Sequence, residues 1–553
     1  MPSRTLMNSG ETASDRDWWR GAIIYQIYPR SFQDSDDDGI GDLRGIRQRL
    51  RHVADLGADA VWISPFYASP MKDFGYDVSD YRAVDPEFGT IDDFRDLVDE
   101  AHRLGLKVLI DLVISHTSDQ HEWFRESRAD RTNPKADWFV WADAEPDGTA
   151  PNNWLSIFGG PAWEWDTSRR QYYMHNFLAS QPDLNFHNRD VQEAVLDVTR
   201  YWLELGADGF RLDTINFYFH SRTLADNPAL PEDERMASTA PSVNPYTWQD
   251  HLHDKSQPEN LDFLKRFRAV LDEFPATASV GEVGDDQRSL EIVAAYTSGG
   301  DKVHMCYSFD FLSVEKPDAA RVRAVVEAFE NAAPDGWACW AFSNHDVMRH
   351  ATRWAADEAD PRAYLTVMAA LLMSLRGSVT LYQGEELGLP EADIAFEDLR
   401  DPYGIRFWPK FKGRDGCRTP MVWSSNSPNG GFSAARPWLP VPEAHRALAV
   451  DTQGGRSESL LAFYRRFIAF RKAHPALVRG KIRFVEAPAG VVAFERAQGA
   501  ERLLCAFNLS GFAVSFDPGL GRFVALAESG LGGGVNGATI VLGAKDGIIA
   551  RLA

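Results

Sequence analysis

Short apolar runs recur along most of this chain, and helix-period segments that stop at glycine lie between several of them. Ala22-Ile23-Ile24-Tyr25-Gln26-Ile27 and Ala60-Val61-Trp62-Ile63 are two such runs, separated by the amphipathic segment Leu43 to Leu56, which ends at Gly57. That spacing predicts a βαβ unit. A helix over Ile91 to Leu104, a stop at Gly105 and the run Val108 to Val113 repeat it; the third run lacks polar alternation, as a strand covered on both faces should. Helix Arg189 to Leu205 then leads to Gly209-Phe210-Arg211-Leu212-Asp213, and helix Asn260 to Phe274 to Ala278-Ser279-Val280-Gly281-Glu282. Met305 to Phe309, Trp337 to Phe342 and Val379 to Gln383, the last preceded by helix Pro361 to Leu375, bring the strands to eight. Eight such units predict an α/β fold of the (β/α)8 barrel type.

Two stretches break the alternation. Residues 116–186 are rich in Trp, Asn, Pro and Gly and too long for an ordinary connection, which predicts an inserted domain after strand three. Residues 384–450 are similarly irregular and predict a long loop subdomain over the catalytic face. After helix Ser457 to His474, the runs Val491 to Phe494, Leu503 to Phe507 and Thr539 to Leu542 predict a C-terminal antiparallel β domain. The expected division is 1–115 and 187–475 for the barrel, 116–186 for the insert and 476–553 for the C-terminal domain.

A net charge of −22 over 553 residues argues against nucleic acid or an anionic membrane as a partner, because acidic groups oppose the phosphate attraction that drives such binding. A small neutral ligand is indifferent to that field. Cys306, Cys339, Cys417 and Cys505 are widely spaced, without a zinc or disulfide pattern, and read as free thiols. Met1 to Asp17 is polar and lacks the apolar core of a secretory signal, so a cytoplasmic location is expected. Tyr364 to Leu375, the longest apolar stretch, is too short for a bilayer. A monomer or homodimer is expected.

In a parallel barrel the C-terminal strand ends form the catalytic face, and Asp213 and Glu282 end successive strands. Taken alone, Arg211 and Asp213 read first as a plain buried ion pair. Four ordered motifs carry a resemblance to the α-amylase family of glycoside hydrolases: Asp111-Leu112-Val113-Ile114-Ser115-His116, Gly209 to Asp213, Val280-Gly281-Glu282 and Phe342-Ser343-Asn344-His345-Asp346. Gln181-Pro182-Asp183-Leu184-Asn185 resembles a further signature of the α-glucosidase and oligo-1,6-glucosidase branch, and Asn216-Phe217-Tyr218-Phe219-His220 looks like the proteobacterial α-glucosidases.

The resemblance implies a retaining hydrolysis of α-glucosides, in which an acid protonates the leaving oxygen and a carboxylate attacks the anomeric carbon, the two carboxyl groups standing about 5 Å apart. It makes Asp213 the nucleophile, Glu282 the acid and later the base, and Asp346 the third catalytic carboxylate, gripping the 2- and 3-hydroxyls. His116 and His345 would bond the same glucose, and Arg211 would keep Asp213 ionised. Asp73 and Tyr76 match the loop that closes the far end of the glucose site in this branch, with Arg414 as the partner of Asp73; a pocket closed in this way admits one terminal glucose. A tether between two loops is the plainer reading of that pair.

Asp34 to Asp42 offers oxygen ligands at alternate positions, yet Gly45 stands where an EF-hand needs its glutamate. By resemblance Asp34, Asp36, Asp38, Ile40 and Asp42 would hold one structural Ca²⁺ or Mg²⁺, whereas a solvated acidic turn is the alternative. Thr214, directly after the nucleophile, goes with α-1,4 rather than α-1,6 cleavage in this branch. The expectation is therefore an exo-acting retaining α-glucosidase on maltose-like substrates, and on sucrose, with transglucosylation. A sucrose-specific hydrolase, a glucosyl-transferring isomerase and a non-catalytic sugar-binding relative are the competing readings.

Overall fold

A computed structural model describes residues 16–235, 240–313 and 315–553, so nearly all of the Met1 to Asp17 segment lies outside the described residues. Eight parallel strands form one sheet: β1 (Ile23–Ile27), β2 (Ala60–Ile63), β3 (Lys107–Leu112), β4 (Gly209–Leu212), β5 (Ala278–Val283), β6 (Met305–Ser308), β7 (Cys339–Ala341) and β8 (Ser378–Tyr382). Their order is β6-β5-β4-β3-β2-β1-β8-β7, and a parallel bridge between Cys306 and Ala338 closes the ring. Except at Lys107 and Ser308, every residue on these strands is buried, which is why their sequences do not alternate.

Local signals set the helix ends. Helix α1 (Leu43–Leu56) starts where the Asp42 carboxylate accepts the Gly45 N–H and stops at Gly57, whose φ of 96° is left-handed. Its buried stripe is Leu43, Ile46, Leu50, Val53 and Leu56. Helix α2 (Ile91–Arg103) opens on a capping box between Thr90 and Asp93. Helices α3 (Arg189–Glu204), α4 (Asn260–Leu271) and α7 (Pro361–Ser374) fall where expected, and α8 (Leu460–Ala473) occupies the interior of the expected Ser457 to His474. Between them lie α5 (Ser289–Thr297) and α6 (Ala319–Ala332), which join β5 to β6 and β6 to β7. Neither stands out in the sequence, because α5 is nearly apolar throughout and α6 is alanine-rich.

Gly209 lets β4 lie close against β5. Its φ is +149°, and a Cβ there would sit 1.8 Å from the Ala278 carbonyl oxygen. Within 116–186, Trp141–Ala142, Gln171–Met174 and Trp163–Asp166 form a small antiparallel sheet over Val140, Trp154, Trp163 and Met174. The 384–450 stretch consists of short helical turns and extended segments. At the C-terminus a five-stranded antiparallel sheet and a three-stranded one enclose Leu504, Ala506, Ile540, Leu542 and Ile548.

Of two buried arginines here, Arg496 ties this end to the barrel, and Arg471 ties the barrel's last helix to its other elements. Arg471 on α8 donates to the carbonyls of Gly21 (3.1 Å), Gly377 (2.9 Å) and Met373, and Arg496 donates to those of Gly480 (2.9 Å) and Ser374. Met373 and Ser374 are the last residues of α7, where orphan carbonyls and the helix dipole both favour a cation.

Candidate active site

The C-terminal ends of β3, β4 and β5 place three carboxylates around one guanidinium. Arg211, fully buried on β4, donates Nη1 to Asp111 Oδ1 (2.8 Å) and Asp213 Oδ1 (2.6 Å), and its Nη2 lies 2.6 Å from Glu282 Oε2. Arg211 and Asp213 share a strand face because they stand two residues apart. Tyr307 on β6 accepts from Arg211 Nη2 (2.8 Å) and donates to Glu282 Oε1 (2.9 Å). The Trp62 ring lies beneath the guanidinium, 4.9 Å from its carbon to the ring centroid. Adjacent nitrogens of one planar group thus hold Asp213 and Glu282 side by side.

Thr214 joins the two acids as well. Its N–H donates to Glu282 Oε2 (3.2 Å) and its hydroxyl lies 3.3 Å from Asp213 Oδ2. The backbone bends to allow this: φ at Thr214 is 39°, an outlier for a β-branched residue and a form of strain that gathers at functional sites.

Burial is the main reason that Asp213 and Glu282 are both pushed up to about 7; Arg211 opposes the rise in each. The charge of Asp213 raises Glu282 further, so ionising one acid hinders ionisation of the other. Such a pair holds one proton near neutrality, which leaves one carboxylate and one acid. Burial likewise pushes Asp111 up to about 6, against the pull of Arg211.

Asp346 follows β7 and behaves oppositely. Burial alone would raise it, but His345 and the guanidiniums of Arg414 (3.3 Å) and Arg418 (3.0 Å) hold it well below the usual carboxylate range. His345 is kept neutral by burial. Gln26 on β1 donates its amide to His345 Nδ1 (2.7 Å), so the proton is on Nε2, which faces Tyr76 Oη (2.6 Å) and Asp346 Oδ2 (3.2 Å). Tyr76 stacks on the imidazole at an angle of 7° and donates its own hydroxyl hydrogen bond to Asp111 Oδ2 (3.0 Å).

Tyr76, Asp213, Thr214, Glu282 and Asp346 line a cavity of about 620 Å³. At its closed end Arg414 Nη2 donates to Asp73 Oδ1 (2.8 Å) and to Asp401 Oδ1 (2.8 Å), all three side chains being buried. His116 lines the cavity too, although its Nε2 is engaged by the Tyr76 carbonyl at 2.8 Å. Apolar side chains, among them Phe158, Phe177, Phe217 and Tyr403, form much of the remaining wall. Of the catalytic and substrate-binding candidates named from the sequence, all but Arg211 and His345 line this cavity, and those two lie behind it against residues that do.

The sequence reading named Asp111 only within a motif, and missed Tyr307, Gln26, Asp401 and Arg418 as site residues. Asp111 lies inside a quoted motif and could have been picked out by its charge, and Arg418 lies four residues after Arg414. No local pattern marks Gln26, Tyr307 or Asp401.

At the Asp34 to Asp42 loop, after β1, carboxylate oxygens of Asp34, Asp36 and Asp42 lie within 4.8 Å of one another. Asp38 stands outside that group, its Oδ1 turned back to accept the Ile40 N–H at 2.7 Å. Three hard oxygen donors in this spacing fit a divalent cation such as Ca²⁺ or Mg²⁺.

An eight-stranded barrel with two buried carboxyl groups paired at its strand ends defines the class, and residues 26–480 match the family described as alpha amylase, catalytic domain. The chain belongs to the α-amylase family and is a glycoside hydrolase. It is 62% identical over 552 residues to a probable alpha-glucosidase of Rhizobium meliloti (strain 1021), covering 99% of this chain and 100% of that one. An oligo-1,6-glucosidase of Heyndrickxia coagulans is 36% identical, with 91% and 94% covered. Among solved structures, an alpha-glucosyl transfer enzyme, XgtA, superposes with a TM-score of 0.94 at 52% identity, covering 97% of this chain and 99% of that one. The trehalulose synthase MutB of Pseudomonas mesoacidophila MX-45 gives 0.86 at 31% identity, with 97% and 99% covered. Among the described residues no helix is long and apolar enough to cross a membrane.

Proposed function

We propose that the protein is an exo-acting, retaining α-glucosidase that releases terminal glucose from short α-glucosides, maltose and sucrose among them, and also transfers glucose to alcohols. The observation that carries this reading is Arg211 holding Asp213 and Glu282 together at one end of a pocket whose other end Asp73 and Arg414 close. Asp213 attacks the anomeric carbon while Glu282 gives its proton to the departing oxygen. Glu282 then takes a proton from water, or from an alcohol, which displaces Asp213 and restores the α configuration. Asp346, held ionised, grips hydroxyls of the same glucose beside the His345 Nε2–H. The Thr214 hydroxyl, bonded to both Ser115 (3.0 Å) and Asp213, supports an α-1,4 preference.

Asp34, Asp36 and Asp42, with Asp38 and the Ile40 carbonyl as further ligands, would hold one Ca²⁺ or Mg²⁺. The ion would brace the loop after β1 and take no part in bond cleavage. Four unpaired thiols fit a reducing compartment, which supports a cytoplasmic location.

Initial rates of glucose release from maltose, isomaltose, trehalose and sucrose, read beside Asp213→Asn, test the proposal. Maltose should lead and the variant should be inactive. Glucose release by the variant would overturn the nucleophile, and a sucrose-only or isomer-producing enzyme would favour the competing readings.

A further inference from the structure

The cavity that Asp73 and Arg414 close at one end is also lined by Leu312, Val347, Met348 and Ile394, whose side chains offer a bound sugar no hydrogen bond. Glu391 lines the same cavity and has no part in the chemistry described above. Its position is fixed from two directions: Oε2 accepts the Arg349 N–H (2.9 Å), and its own N–H donates to the Thr352 hydroxyl (2.8 Å). Both partners follow β7 on the segment that carries Asp346, so Glu391 is in register with the catalytic end.

The other oxygen is different. Among the described residues no group donates to Glu391 Oε1. Gly416 makes room for it: a Cβ there would sit 2.2 Å from Oε1 and 2.5 Å from the Ala392 carbonyl oxygen. Gly416 also lines the cavity, so the glycine leaves the carboxyl room at its edge. Burial pushes Glu391 up to about 7, while Arg349 and Arg353 pull it down and Asp415 pushes it further up. Near neutrality such a group can accept a hydroxyl proton or donate its own.

A polar group fixed in an apolar wall orients a ligand, and a site built to bond a hydroxyl discriminates against molecules that lack one. We infer that Glu391 is a specificity-determining residue that bonds a hydroxyl of the leaving group or of an acceptor alcohol, and so favours sugars and other polyols over phenols and apolar alcohols. The inference rests on the α-glucosidase reading and extends it to the leaving-group side.

The test compares kcat/KM for maltose with that for 4-nitrophenyl α-glucoside in the parent protein, Glu391→Gln and Glu391→Ala, with thermal unfolding measured on each. The isosteric Glu391→Gln keeps an acceptor for the Arg349 N–H, so its fold should survive. The maltose-to-nitrophenyl ratio should fall about 10-fold or more in Glu391→Ala, mainly through KM for maltose, and less in Glu391→Gln. A ratio unchanged in both variants, whether the two rates hold or fall together, would overturn the inference and leave Glu391 a structural tether. A parent protein that cleaves neither substrate would overturn the α-glucosidase reading, and this inference with it.

Discussion

Asp213 is nearly fully buried, and burial moves its pKa from 3.8 to about 7 in the folded protein. An acid whose folded pKa is raised binds its proton more tightly folded than unfolded, so the chain loses stability as pH rises from about 4 to about 7. The neutral isostere escapes this penalty. Asp213→Asn should therefore unfold at a higher temperature than the parent at pH 8, with the gap closing as pH falls toward 4; calorimetry across that range measures it. One pKa unit is worth about 1.4 kcal/mol, which sets the gain at no more than about 4 kcal/mol. An inactive variant that is more stable than its parent is the ordinary signature of a residue placed for chemistry. At this scale the sequence was legible where short motifs concentrate charge: Arg211, Asp213, Glu282 and Asp346 all stand in such motifs. Gln26 and Tyr307 were not legible, because their roles come from partners 319 and 96 residues away.

Among the elements, β4 depends on Gly209. With φ at +149° and a neighbouring carbonyl oxygen where Cβ would be, Gly209→Ala must shift β4 away from β5 and with it Arg211 and Asp213. A loss of about 3 kcal/mol or more, with kcat reduced as well, is expected from urea unfolding and initial rates. The loop after β1 supports a separate expectation. If Asp34, Asp36 and Asp42 hold a cation, chelation should lower the unfolding midpoint by about 2–5 °C, and calcium should restore it. Glucose release well below that midpoint should be unchanged. Helices with a clear apolar stripe, such as α1 and α2, could be read from the sequence almost to the residue. Helices α5 and α6 could not, since their burial depends on packing against the barrel rather than on contrast within their own sequences.

Arg471 binds α8 to the segments before β1 and β8, and Arg496 joins the C-terminal sheet to the end of α7. Arg471→Met would leave the carbonyls of Gly21, Met373 and Gly377 buried without this donor, at about 1–3 kcal/mol for each unsatisfied group. The urea midpoint should fall clearly while kcat without denaturant holds, because Arg471 lies outside the cavity lining. The barrel and the C-terminal β domain were legible from strand count and turn spacing, but this joint was not. Its guanidiniums bond only to backbone carbonyls, which carry no sequence signature.

The pairing of β1 with β8, Ile23 opposite Val379, also sets a timetable for synthesis. The first strand leaves the ribosome with only β2 to pair with, and its other edge stays open until residue 379 and beyond have been made. The Gly21 carbonyl waits longer still, for Arg471. A contact spanning most of the chain is costly to form before its neighbours are in place. The barrel therefore cannot close around β1 until most of the chain has been made.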